Sequence, residues 1–227
     1  MESGRPMRQS LFERVAPVYL AERIRAMKKT LILLAGFPGT GKTYLANKIR
    51  DWQPEFILLS PDAIKEKFWD EQGFDNLAEK EATIRLSWEY YYGKLCDYMQ
   101  EGLAVMSDYP FSDKQKARLA ALTGQYGYQV ITLRMTGDLA ILFERQKRRD
   151  LDSSRHWGHV LTSYHQGQQP ADRRKADALL DYDEFSKRCL TRGYGEFSLG
   201  YLIKLDMTDF NAVDYEELCR QLEQLLF

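Results

Sequence analysis

The residues with the plainest chemical purpose run from Gly36 to Thr43, as Gly36-Phe37-Pro38-Gly39-Thr40-Gly41-Lys42-Thr43. They match G-x-x-x-x-G-K-[ST] in full, after an apolar run and before a helical pattern, which is the context a phosphate cradle needs. Gly36, Gly39 and Gly41 let the backbone wrap with its N–H groups pointing inward, and the next helix turns its positive end to the same anion. Lys42 adds a point charge for the β and γ phosphates of ATP, and Thr43 a hydroxyl able to ligate Mg²⁺. The whole stretch, Phe37, Pro38 and Thr40 included, is therefore expected to hold the nucleotide. A dinucleotide fingerprint would need glycine where Tyr44 stands.

Single acids and arginines further along extend this chemistry. Asp62 follows an apolar run in Leu58-Leu59-Ser60-Pro61-Asp62, with Ser60 able to cap and Pro61 suited to the first helical position. It is either an acid complementing a helix dipole or a general base at the carboxyl end of a parallel strand, where ligands bind in open α/β sheets. Asp108 closes the apolar run from Leu103 to Ser107 and would hold Mg²⁺ together with Thr43. Arg145 and Arg149, four apart, share one helical face and could meet a transferring phosphoryl group together. Residues 144–175 carry eight Lys or Arg against four acids, a local surplus in a chain with 32 basic and 33 acidic residues. The three histidines, His156, His159 and His165, have no cysteine or carboxylate at ligand spacing and do not read as a metal site.

These groups need a scaffold, and short apolar runs alternating with longer amphipathic stretches supply an α/β one. Strands are expected at residues 30–35, 56–59, 103–107, 128–135 and 201–205, forming a five-stranded parallel sheet. Helices at 42–51, 61–69, 77–101, 113–126, 138–150 and 213–226 would cover both faces through right-handed crossovers. The polar stretch from Leu151 to Gln169 breaks this rhythm and reads as a mobile loop or lid, at about residues 150–170. Residues 1–27 form an extension with near-helical apolar spacing that lies outside the catalytic motifs, so residues 28–227 make the domain. Trp88, Tyr90, Tyr91, Tyr92 and Tyr98 spread round all faces of one helix and read as core and groove wall rather than a base-stacking platform.

Composition removes several function classes. A net charge of −1 gives no global pull toward nucleic acid or anionic lipid, and no apolar run approaches the ~20 residues of a membrane span. Cys96, Cys189 and Cys219 are widely spaced without Cys-x-x-Cys and read as reduced core thiols of a cytoplasmic protein. A GTPase would carry Asn-Lys-x-Asp, whereas Asn47-Lys48 is followed by Ile49-Arg50. A ring ATPase would continue into a helical lid domain after its last strand.

The order of the cradle, Asp62 in a strand-Ser-Pro-Asp-helix unit, Asp108, Arg145 with Arg149, and Arg155-His156-x-Gly158-His159 resembles the small P-loop kinases grouped with polynucleotide 5′-kinase, zeta toxin and chloramphenicol phosphotransferase. The resemblance spans roughly residues 28–227. It implies a nucleoside-monophosphate-kinase-like P-loop fold with a small lid, ATP with Mg²⁺, a base at Asp62 and lid arginines at Arg145 and Arg149. Polynucleotide kinases carry Asp-x-x-Arg after the second strand, where this chain has Asp62-Ala63-Ile64-Lys65. Lysine lacks the bidentate fork of arginine, so a small hydroxylated acceptor is favoured over a nucleic-acid end. The expected activity is ATP-dependent phosphorylation of a hydroxyl on a small or nucleotide-type acceptor. Its rivals are a zeta-toxin-like nucleotide-sugar kinase and a nucleotide-binding regulator without an acceptor.

Overall fold

In a computed structural model of the protein, residues 27–167, 170 and 172–227 are described. The expected N-terminal helix falls outside them, apart from Met27. Five strands, β1 (Thr30–Gly36), β2 (Ile57–Leu58), β3 (Val105–Asp108), β4 (Gln129–Thr136) and β5 (Tyr201–Asp206), form one sheet in the order β2-β3-β1-β4-β5. Every pairing is parallel. Central β1 is buried along its full length. Its side chains alternate between two cores: Leu31, Leu33 and Ala35 join Tyr91, Leu95 and Phe111 on one face, and Ile32 and Leu34 join Leu45, Ile49 and Leu222 on the other. Burial on both faces is why the strand reads as a continuous apolar run rather than an alternating one.

The helices are α1 (Lys42–Trp52), α2 (Pro61–Gln72), α3 (Leu77–Gln100), α4 (Asp113–Tyr126), α5 (Leu139–Leu151), α6 (Tyr182–Thr191) and α7 (Tyr215–Leu226). Local signals explain several ends. Asn76 caps α3 by accepting from the Glu79 N–H, and Ser112 with Gln115 forms a capping box at the start of α4. Gly127 ends α4 at a φ of 68°, the left-handed turn that glycine adopts without strain. From β1 the chain fills the β2–β3 side of the sheet and then the β4–β5 side. The loop after β1 thus lies where strand order reverses, outside the carboxyl ends of the strands.

Three features add to the sequence reading. Helix α6 was not expected, because only Phe185 and Cys189 of its ten residues are buried, too narrow a stripe to stand out as helical periodicity. Of the three cysteines, all free, only Cys189 is buried. The stretch after α5, expected as a loop or lid, contains a 3₁₀ turn at Trp157–His159 and is seated on α2. There Val160, Leu161 and Tyr164 pack with Trp69 and Phe74, and Phe74 and Tyr164 exchange backbone hydrogen bonds of 2.8 and 2.7 Å. Among the described residues no helix is long and apolar enough to cross a membrane.

Candidate functional site

The cradle turns where only glycine can stand. A Cβ on Gly36, at φ 108°, would lie 1.9 Å from the Met135 carbonyl oxygen, and one on Gly39, at φ 80°, would lie 2.4 Å from that of Leu142. Within the loop, Thr40 Oγ1 donates to the Phe37 carbonyl at 2.8 Å, and Lys42 Nζ donates to the same oxygen at 2.7 Å. Loss of hydration, reinforced by the Arg149 guanidinium, lowers the Lys42 pKa to about 8 against the opposing pull of Asp108 and Asp62.

Thr43 Oγ1 donates to Asp108 Oδ2 at 2.6 Å, joining the first turn of α1 to the end of β3. Burial raises the pKa of Asp108, while the hydroxyls of Thr43 and Ser60 favour its charged form. Asp108 Oδ1 is buried and makes no hydrogen bond within the described residues. A hydroxyl and a carboxylate with an unused oxygen, beside a phosphate cradle, are the hard donors that suit Mg²⁺.

Asp62 occupies the second position of α2; the cap position is Ser60. Its carboxylate is held by Lys65 Nζ at 3.1 Å, and Lys65 is itself buried against the Tyr109 ring, 4.0 Å from its centroid. Burial would raise the Asp62 pKa, but Lys65, His159, Arg155 and Arg149 outweigh it and hold the carboxyl well below the usual carboxylate range. Burial likewise works to lower Lys65, and Tyr109 and Asp62 overcome it to raise the ammonium. The result is an acid ionised at every physiological pH.

Arg145 and Arg149 share a face of α5, yet their engagements differ. The Arg145 guanidinium donates to the carbonyls of Met207 and Thr208, the latter at 2.8 Å, and lies 4.0 Å over the Phe210 ring. It braces the turn after β5. Arg149 is exposed, has no hydrogen bond or ion pair within the described residues, and is felt electrostatically by Lys42, Asp62 and Arg155. Of this pair, Arg149 keeps its donors free.

A cleft of about 700 Å³ gathers Lys42, Thr43, Asp62, Asp108, Arg145 and Arg149. Sequence reasoning missed much of its remaining wall: Lys80 of α3, Tyr109 after β3, and Arg188, Arg192 and Tyr194 at and beyond the end of α6. One signal was present. Asp181 and Glu184 stand at capping-box spacing, and Asp181 does cap α6 by accepting from the Glu184 N–H. Arg188 and Arg192 then repeat the four-residue spacing of Arg145 and Arg149.

The segment after α5 is tied to the region of α2 by its histidines. His159 meets Glu66 at 2.7 Å, His156 meets Asp70 at 3.0 Å, and His165 meets Asp75 at 2.7 Å. Arg155 bridges Glu66 and Asp150 at 3.8 and 3.5 Å. Among the described residues no group of three or more His, Cys, Asp or Glu side chains is placed to hold a metal ion.

A family model described as an AAA domain matches residues 31–170. No curated protein matches the chain. Among solved structures, the fold is similar to a candidate kinase from Chloroflexus aurantiacus, 22% identical over 87% of this chain and 98% of that one, with a TM-score of 0.69. Weaker similarity extends to shikimate kinase from Bacteroides thetaiotaomicron (15% identity, 86% and 97% coverage, TM-score 0.47). It extends also to a gluconokinase from Sinorhizobium meliloti (13% identity, 87% and 93% coverage, TM-score 0.42).

Proposed function

The chain belongs to this AAA domain family, with the fold of small P-loop kinases, and from that premise we propose that it transfers the γ-phosphoryl group of ATP to a hydroxyl of a small acceptor. The observation that carries the reading is Asp62. Its carboxylate is not spent on capping, stays ionised, and shares one cleft with Lys42, Thr43 and Asp108.

The cradle amides and Lys42 hold the β and γ phosphates. The acceptor oxygen bonds to the γ phosphorus as the bond from that phosphorus to the β–γ bridging oxygen breaks, and ADP departs with the bridging electrons. The hydroxyl proton passes to an Asp62 carboxylate oxygen. Because the Asp62 pKa is low, proton transfer comes late, and the residue's larger contribution is to orient the hydroxyl. Thr43 and Asp108 would hold Mg²⁺, which neutralises charge on the β and γ oxygens. Arg149 would face the charge spread over the transferring group, and Arg145 stacked on Phe210 lines the same cleft.

Acceptor screening tests this directly. Purified protein with Mg-ATP should release ADP at a rate that rises when a hydroxylated acceptor from a metabolite panel is added. Nucleotide binding with no acceptor-dependent turnover across that panel would make the protein a nucleotide switch instead.

A further inference from the structure

The cleft is far more cationic than a triphosphate requires. Eight of its lining residues are Lys or Arg and three are Asp. Lys42, Arg145 and Arg149 are assigned to the nucleotide, and Lys65 and Arg155 have carboxylates of the cleft or its rim beside them. Among the described residues Lys80 and Arg192 have no carboxylate at ion-pair distance, and the one beside Arg188, Glu184, is not part of the cleft lining.

All three line the cleft that also holds Lys65 and Asp62. Lys80 is half-buried, donates to the Leu161 carbonyl at 2.7 Å and stands 5.6 Å from the Trp69 ring centroid. It has no carboxylate at ion-pair distance within the described residues. Burial lowers its pKa to about 8, and although Asp177 opposes this, repulsion from Arg188 and Lys65 adds to it, so Lys80 feels both of those cations. Arg192 is exposed, and among the described residues its guanidinium donates only to the Tyr194 hydroxyl, at 3.5 Å; that tyrosine in turn senses Tyr109 and Lys65. Arg188 is paired with Glu184 at 2.8 Å, a partly buried i,i+4 contact along α6 that leaves the other guanidinium nitrogens without a hydrogen bond to a carboxylate among the described residues. Like charges collected in a recess oppose one another unless an anion joins them.

We propose that the acceptor is a phosphate monoester, an alcohol whose existing phosphate is gripped by Lys80, Arg188 and Arg192 while its free hydroxyl lies at Asp62. A dianion matches this surplus better than a carboxylate does, and two guanidiniums offer the forked donors that phosphate oxygens accept. Binding at that distant group would position the hydroxyl without touching the reacting atoms, so its energy appears in the rate of transfer. The inference rests on the kinase reading, which places the hydroxyl.

The test separates the two. Full-length protein saturated with Mg²⁺ and the non-hydrolysable analogue AMP-PNP, so that the cradle is filled, is titrated by calorimetry with inorganic phosphate and separately with acetate. One saturable phosphate per chain is expected, weakened about tenfold or more in Arg192→Gln and in Arg188→Gln, with AMP-PNP affinity and melting temperature unchanged and no comparable acetate binding. Absence of saturable phosphate, phosphate binding indifferent to both substitutions, or acetate binding of equal strength would each overturn the proposal. Should AMP-PNP itself not bind, the kinase reading fails. The same phosphate titration on Lys42→Ala, whose cradle is disabled, then still decides whether the second anion site exists.

Discussion

Lys42 is tuned by its surroundings, and the tuning is measurable. With its pKa at about 8, it is partly neutral in alkaline solution, and a triphosphate beside it favours the charged form. Nucleotide binding above pH 8 should therefore take up a proton, and affinity should fall toward pH 10 by up to about tenfold per unit. AMP-PNP calorimetry at pH 8.5, in buffers of differing ionisation heat, should show uptake in wild type and none in Lys42→Ala; equal values would refute the assignment. Because the unfolded chain holds this proton up to its ordinary value of 10.5, the group's burial weakens the fold below about pH 8 and ceases to do so as pH rises through that window. Removing the charge in Lys42→Ala should slow phosphoryl transfer by about 10²- to 10³-fold with the fold retained. Asp62 calls for a paired design, because asparagine would also strip Lys65 of its counter-ion. Asp62→Asn should lose transfer by about 10²- to 10⁴-fold. It should also lose about 3–5 kcal/mol of stability, from leaving a buried ammonium without its counter-ion. Adding Lys65→Met should restore the melting temperature but not the rate. A double variant that regains turnover would leave Asp62 as nothing more than the partner of Lys65.

At the scale of elements, the segment after α5 can seat on α2 only if one close approach is kept. A Cβ on Gly158 would fall 2.3 Å from Cε3 of Trp69, a ring buried in the small core beneath that segment. Gly158→Ala should push the 3₁₀ turn off α2, costing about 1–3 kcal/mol as overpacking does. It should also loosen the contacts of Arg155 and His159 with Glu66. Limited proteolysis should then cut between residues 151 and 167 faster than in wild type, and transfer should slow while AMP-PNP affinity holds. Unchanged cleavage would show that the turn rearranges without leaving the helix. Helix α6 shows the complementary lesson. Two buried side chains anchor it against Leu142 and Phe37, and that modest contact sets Arg188 and Arg192 on the cleft wall.

Across the whole molecule, the described chain begins with Met27 packed against the core of Leu218 and Leu222 and with the Lys28 N–H donating to the Leu226 carbonyl at 2.8 Å, and the described residues lining the cleft run from Pro38 to Phe210. Deleting residues 1–26 should therefore leave AMP-PNP affinity within about twofold of wild type by calorimetry. A larger loss with unchanged melting would give the extension a part in nucleotide binding. What the amino-acid order determined by itself is whatever depends on neighbours in the chain. The cradle is eight consecutive residues whose backbone amides do the binding, so its geometry follows from local φ and ψ. Strands β1, β3 and β4 were legible because a parallel sheet covered on both faces demands unbroken apolar runs, and α4 because a capping box and a closing glycine mark both its ends. Only tertiary packing decided the rest. Arg145 and Arg149 look alike in sequence, but the turn after β5, some 60 residues on, supplies the carbonyls that occupy one and leave the other free. Lys65, Lys80 and Arg188 come from three helices, and Arg192 from the residue that ends the third, spread over more than a hundred residues. No spacing rule links them, because what brings them to one wall is how α2, α3 and α6 pack around the cleft.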